Sequence, residues 1–418
     1  MKTVTAVVVG AGHAGLAMSH HLARHAIDHV LLERGEVANA WRHQRWDSLR
    51  LLTPNWQTRL PGQVYSGPEP QGFMGMAELI AFLDHYARSL SAPLHTDTEV
   101  VSVRQAEDGY RVVTHRGDWR CRAVVIATGA CQLPIVPAMA AALPPWIESL
   151  TPHEYRRPEQ LPPGGVLVVG ASATGVQLAD EIQRSGRPVT LAVGQHLRLP
   201  RSYRDRDIQW WLERAGMLDQ RFDEVEDLAR ARRQPSPQLL GSAVPQDLDL
   251  NALSDRGVRL VGRLAGLSGT RLQFSGSLAV HCTTADLKLA RLLDNLDAWA
   301  STHGWHDALP APQRLPSTRV PQRPCLGLDL AAGEIKTVLW ATGFRPDFSW
   351  LEVPVFDARG GLRHDGGMVA PGLYAMGLPF MRRRKSGAIH GADDDARDLS
   401  LHLAGWLAGA RRRRDSFA

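Results

Sequence analysis

The residues with the clearest chemical purpose are glycines. Thr5 to Val9 form a short β-branched run, and Gly10-Ala11-Gly12-His13-Ala14-Gly15 follows at once. Leu16 to His25 then continues with helical periodicity before Val30-Leu31-Leu32 resumes a strand. This pattern predicts a βαβ unit whose turn can cradle a pyrophosphate. Gly10 permits the tight turn, Gly12 lets backbone N–H groups approach phosphate, and Gly15 lets helix and strand pack closely, with the helix N-terminus facing the anion. His13 and Ala14 belong to the same loop. Glu33 closes the second strand and is followed by Arg34. There a carboxylate would accept hydrogen bonds from an adenosine ribose.

The pattern recurs. Val166-Leu167-Val168-Val169 leads into Gly170-Ala171-Ser172-Ala173-Thr174-Gly175, a helical stretch from Val176 to Ser185 and a strand at Val189 to Val193. Ser172 replaces the middle glycine and is small enough to keep the backbone close to phosphate. This second strand ends in Val193-Gly194-Gln195, without a carboxylate, and His196, Arg198 and Arg201 follow. A 2′-phosphate would meet no repelling acid there, which favours NADPH over NADH, with Arg198 and Arg201 as candidate contacts. Two further strands end alike, in Ala127-Thr128-Gly129 and in Ala341-Thr342-Gly343. They are expected to return the backbone between domains beside the cofactors.

A chain of 418 residues is long enough for two or three domains. Its 44% hydrophobic, 22% charged and 6% aromatic content is that of a globular protein and excludes disordered or fibrous classes. The expected fold is α/β with two dinucleotide-binding, Rossmann-like domains. The first is discontinuous, over residues 1–150 and 324–418, and the second is inserted between, over 151–323. Within the insert, Gly257 to Leu264 reads as a strand with Arg271 to Phe274 as its partner. Ala285 to Trp299 reads as an amphipathic helix with Leu287, Leu289, Leu292, Leu293 and Leu296 on or near one face. These pieces either complete the second domain or cover a substrate.

All but four of the 48 basic residues are arginine, and a net charge of +5 over this length demands no nucleic-acid partner. The clusters Arg382-Arg383-Arg384 and Arg411-Arg412-Arg413-Arg414 read as solvated. Cys121, Cys131, Cys282 and Cys325 lack C-x-x-C spacing and no secretory leader precedes them, so dithiol chemistry and metal sites lose support and a cytoplasmic setting is expected. The uncharged stretch Ala123 to Ile147 is interrupted by Gly129, Pro134, Pro137, Pro144 and Pro145, which makes it a strand and crossover instead of a membrane span.

Taken together these residues resemble the class B flavoprotein monooxygenases, which include flavin-containing monooxygenases, plant YUCCA enzymes and CzcO-like flavoproteins. The resemblance rests on both glycine loops, on Ala341-Thr342-Gly343-Phe344-Arg345-Pro346-Asp347, and on the stretch from Trp41 to Asn55. It implies FAD at the first loop and NADPH at the second. It also implies that Trp41, Arg42, Trp46, Leu51, Thr53 and Asn55 pass beside the flavin, with Thr53, Asn55 and Arg201 in catalytic roles and Gly377 near the ribityl chain. The implied reaction is reduction of FAD by NADPH, addition of O2 at flavin C4a, and delivery of one oxygen atom from the (hydro)peroxide to a small organic substrate. The alternative is an NADPH-dependent reductase or oxidase without oxygen transfer. Two positions depart from the family pattern. Thr151 stands where the fingerprint has histidine, with His153 out of register, and Leu52 stands where flavin-containing monooxygenases carry asparagine, three residues before Asn55. The implied partners are the substrate and molecular oxygen, with a homodimer as a further option.

Overall fold

The computed structural model describes residues 1–418 apart from 91–92, 243–245, 306–307 and 416–418, with side chains of the last helix described as far as Gly409. Two sheets, one mixed and one parallel, organise the chain. In the first, Lys2–Val9 is central, between His29–Leu32 and Gly117–Ile126, both parallel to it, and Leu94–His95 lies beyond His29–Leu32. Its β-branched run is buried on both faces, which is why it reads as continuously apolar. Gly117–Ile126 also carries the antiparallel pair Gly109–Thr114 and Val100–Ala106, and its last residues pair with Leu373–Ala375 from near the other end of the chain. The first unit is therefore assembled from both ends of the sequence. The final helix, Ala392–Asp415, buries Ala396, Leu399, Leu403 and Leu407, one face at helical spacing, in the core shared with Leu16 and Leu22 of helix His13–Arg24.

The second sheet has five parallel strands in the order Glu148–Leu150, Ile335–Trp340, Gly165–Val169, Val189–Val193 and Arg259–Gly262. The sheet thus takes in Glu148–Leu150 and Ile335–Trp340, on either side of residues 151–323. Ile335–Trp340 is hydrogen-bonded along both edges, to Gly165–Val169 on one side and to Glu148–Leu150 on the other, which places it inside this sheet. One correction concerns Arg271–Phe274. It pairs with Leu264–Ser268 across a turn at Gly269 and with Gly327–Asp329, not with Arg259–Gly262, whose hydrogen bonds go to Val189–Val193.

Helix Leu278–Thr302 buries Leu289, Leu293, Leu296 and Ala300 against Tyr203, Ile208 and Trp211. Leu287 falls off this face and is 55% exposed. The Arg382–Arg384 cluster is not a solvated run: Arg382 and Arg383 pair with Asp398, and Arg383 also with Asp395. The side chains of Arg411 to Arg414 lie outside the described residues. Among the described residues no helix is long and apolar enough to cross a membrane.

Candidate functional site

A cleft of about 320 Å³ opens at the carboxyl ends of Lys2–Val9 and His29–Leu32, where open α/β sheets bind ligands. Gly10, Gly12, His13, Ala14 and Gly377 line it, together with Glu33, Arg34 and Trp41. Ala127, Thr128 and Gly129 close it from the neighbouring strand end. Gly10 has φ +105, and a Cβ there would stand 2.6 Å from the Ala127 carbonyl oxygen. A Cβ on Gly15, which packs behind the loop, would stand 1.9 Å from the Gly10 carbonyl oxygen. Gly12 differs, because its missing Cβ would meet nothing within 4 Å.

That open space is what a pyrophosphate drawn onto backbone N–H groups requires, and the polar atoms around it fit the same ligand. His13 Nε2 and Thr128 Oγ1 are shielded from solvent and have no partner. Burial pushes the His13 pKa down to about 4, so the ring is neutral near pH 7. Glu33 is buried and accepts the Ala11 N–H at 2.8 Å and the Gly35 N–H at 3.2 Å, which fixes its carboxylate at the strand end inside the cleft.

The second loop repeats this geometry. Gly170 has φ +109, with its Cβ position 2.3 Å from the Ala341 carbonyl oxygen, and that of Gly175 is 1.8 Å from the Gly170 carbonyl oxygen. Ser172 has φ −81 and ψ −176, against −80 and −177 at Gly12, so serine keeps the backbone of the middle glycine. Ala173 and Thr174 open helix Ala173–Arg184. Each Ala-Thr-Gly triplet therefore abuts its own glycine loop. Thr342 Oγ1 donates to the Ile135 carbonyl and the Gly343 carbonyl accepts from the Ile135 N–H at 2.9 Å, tying the two connectors between the units together.

The stretch from Trp41 to Asn55 crosses between the units. Trp41 lines the cleft beneath the Arg45 guanidinium, 5.1 Å from the ring. Arg42 turns away and is held by Asp84 at 2.5 Å and the Val37 carbonyl at 2.9 Å, so it clamps the fold and does not face the cleft. Trp46 is buried in the core of the second unit beside Tyr155. Ser48 donates to Glu181 at 2.5 Å, and the Asp47 N–H to the Arg156 carbonyl at 3.0 Å. Leu51 returns to the first core, and Thr53 is half-buried. Asn55 is buried, donates to the Glu69 carbonyl at 2.9 Å, and leaves Oδ1 without a partner.

Arg198 and Arg201 do not stand free for a phosphate. The Arg198 side chain is 2% exposed and bonded to Asp249 at 2.5 Å, Asp286 at 2.8 Å and the Pro316 carbonyl at 2.8 Å, so its charge is offset inside the protein. Arg201 is bonded to Asp207 at 2.5 Å and to the Leu52 carbonyl at 2.9 Å, 4.8 Å from the Phe73 ring, with only Nε lacking a partner. It lines a second cavity of about 500 Å³ between the units, with Trp56, Phe73 and Trp210.

Sequence reasoning missed Thr98, Glu99 and Val100 in the first cleft, which follow a strand of two residues, too short to show a period. Gln44, Arg45 and Asp347 lie in stretches that carry the family resemblance but were not singled out as cleft residues, and Trp350 lies outside both stretches. His390, next to the last helix, is buried with Nε2 unpartnered, and burial pushes its pKa down to about 4. Nearby, Gln57 and Arg59 both donate to Glu213 at 2.9 Å.

Two glycine-loop nucleotide folds joined by paired connectors define an oxidoreductase that works with a flavin and a pyridine nucleotide. The pyridine nucleotide-disulphide oxidoreductase family matches residues 7–227, and the chain belongs to this family. It is 29% identical over 401 residues to an uncharacterized CzcO-like oxidoreductase of Geobacillus kaustophilus (strain HTA426), covering 95% of this chain and 97% of that protein. It is also 29% identical over 192 residues to the indole-3-pyruvate monooxygenase YUCCA4 of Oryza sativa subsp. japonica, covering 42% of this chain and 44% of the relative. Its fold is shared with a flavin-containing monooxygenase from Stenotrophomonas maltophilia, at TM-score 0.68 and 21% identity over 97% of this chain and 100% of the other.

Proposed function

We propose that the chain is a flavin-dependent monooxygenase that takes FAD at the first loop, NADPH at the second, and a small organic substrate in the cavity between the units. The observation that carries this reading is Arg201, whose guanidinium lines that cavity and also holds the Leu52 carbonyl, in the stretch that family resemblance places beside the flavin. The four cysteines are all unpaired, which favours oxygen chemistry over a dithiol relay.

When bound, FAD supplies hydride acceptance from NADPH and activation of O2. The chain supplies position and charge. Gly12 and the flanking N–H groups hold the pyrophosphate, and Glu33 accepts from the ribose. Trp56, Phe73 and Trp210 give the substrate cavity an apolar wall opposite the charged residues Arg201, Arg206 and Asp207, which can make charge-assisted hydrogen bonds. Arg201 Nε, buried without a partner, would donate to an acceptor in that cavity, and the unpartnered Asn55 Oδ1 would accept an N–H group brought against it; Thr53 is carried in the same stretch by family resemblance alone. The chain acts in the cytoplasm, and native mass decides between monomer and homodimer.

The test is turnover of the FAD-loaded protein with NADPH and ¹⁸O-labelled oxygen against amines, sulfides, ketones and indole-like rings. One labelled atom in a product supports the reading. NADPH oxidation with matching hydrogen peroxide and no labelled product across the panel overturns it, and leaves a reductase or oxidase. One observation favours that second reading: Thr151 donates both its N–H and its hydroxyl to Glu154 at 2.8 Å on an exposed turn, so it cannot replace the fingerprint histidine.

A further inference from the structure

The two nucleotide folds share one hydrogen-bond register, and the first can be used to read the second. In the first unit Val9 pairs with Leu32, and the Gly10 N–H donates to the Leu32 carbonyl at 2.8 Å. In the second unit Val169 pairs with Ala192, and the Gly170 N–H donates to the Ala192 carbonyl at 3.0 Å. Ala192 is thus the counterpart of Leu32, and Val193 the counterpart of Glu33. A buried apolar side chain occupies the place of the ribose carboxylate.

One strand further out, Leu32 pairs with His95 and Ala192 with Val261. Arg263 is then the counterpart of Asp97, at the start of the loop whose next residues, Thr98 to Val100, line the first cleft. The Arg263 side chain lies across Gly194, since a Cβ on that glycine would find Arg263 Cγ and Cδ as its nearest neighbours at 4.0 Å. Its backbone is fixed, because its carbonyl accepts the Ser275 N–H at 2.8 Å. Arg263 is exposed and, among the described residues, in no ion pair, whereas Arg198 and Arg201 are buried and committed to carboxylates. It is the cation left available at the end of the strand that lost its acid.

We propose that Arg263 binds the adenosine 2′-phosphate of NADPH and sets the preference for NADPH over NADH. The proposal rests on the reading that the second loop takes NADPH. A planar guanidinium offers paired donors to a phosphate dianion, and Gly194, with no side chain, lets the Arg263 stem lie across the strand end.

The experiment is calorimetric titration of the FAD-loaded full chain with 2′,5′-ADP and with ADP, which lacks the 2′-phosphate. The wild type is expected to bind 2′,5′-ADP more tightly. Arg263→Ala should weaken 2′,5′-ADP roughly ten- to hundredfold, the worth of one charged hydrogen-bonding contact, while ADP stays within about twofold, which also shows that the variant is folded. Arg263→Lys should keep part of the discrimination. If Arg263→Ala retains the wild-type ratio, or weakens both ligands equally, the assignment is overturned. If the wild type itself does not distinguish the two ligands, the NADPH reading fails, and the assignment with it.

Discussion

Gly10 and Gly12 sit in one loop, yet a methyl group added to each should act on different equilibria. Gly12 has φ −80 and ψ −177, extended backbone that any residue adopts, and its Cβ position is empty for 4 Å. Gly12→Ala should therefore leave the flavin-free protein as stable as the wild type, or more stable by about 0.4–1 kcal/mol through the unfolded chain. Gly10 at φ +105 is in a region closed to side chains, and its Cβ would press to 2.6 Å from a carbonyl oxygen held in the sheet. Gly10→Ala should cost the flavin-free fold roughly 1–3 kcal/mol from backbone strain alone, with the clash added. FAD affinity should respond in the opposite order. The methyl added at Gly12 projects about 1.5 Å into the space where pyrophosphate meets the N–H groups. Losing one or two charge-assisted hydrogen bonds at about 1.5–3 kcal/mol each weakens FAD by between roughly tenfold and roughly twenty-thousandfold. Thermal melts of the deflavinated proteins, followed by FAD titration with flavin fluorescence as readout, separate the two effects. The reasoning fails if Gly12→Ala binds FAD within about threefold of wild type, or destabilises the flavin-free fold as much as Gly10→Ala does.

Arg198→Met should destabilise the protein by about 3–5 kcal/mol, because it strands Asp249 and Asp286 without their cation, while the ratio of NADPH to NADH affinity stays unchanged; urea unfolding and cofactor titration report both. Glu33→Ala removes the acceptor of the Ala11 N–H and should weaken FAD by at least about tenfold, read from the same fluorescence titration. His390 titrates at about 4 when folded, against 6.5 when free, so its contribution is fully present above pH 6.5 and is lost as pH falls toward 4. That is up to about 3 kcal/mol, and His390→Gln should show a shallower loss of stability between pH 7 and 4.5 in urea titrations, whereas parallel curves would refute the assignment.

What was legible in the sequence was chemistry held within one turn of chain. The spacing of Gly10, Gly12 and Gly15 is set by a single tight turn and one helix start, so local residue types specify it, and the same is true of Glu33 at a strand end. What was not legible depended on which strand lies beside which. Ile335–Trp340 is an apolar parallel strand that would read alike in either sheet, and only its pairing with Glu148–Leu150 and Gly165–Val169 assigns it to the second. Trp46 lies in the stretch expected to pass the flavin but is buried in the other unit's core, because the chain crosses over five residues after Trp41.

The arginines show the limit most clearly. Arg198 and Arg201 follow the second glycine unit closely in sequence, but the chain turns them inward, where Asp249, Asp286 and Asp207 neutralise them. Arg263 is remote in sequence and reaches Gly194 only because Arg259–Gly262 joins the sheet next to Val189–Val193. Thr98 to Val100 were missed in the first cleft for the same reason: they follow the outer strand Leu94–His95, which has no sequence signature of its own. Both omissions fall at one position of a repeated fold. Duplication in the sequence therefore carries more than two phosphate loops: once one cleft is described, the register shared by the two sheets locates its counterpart in the other.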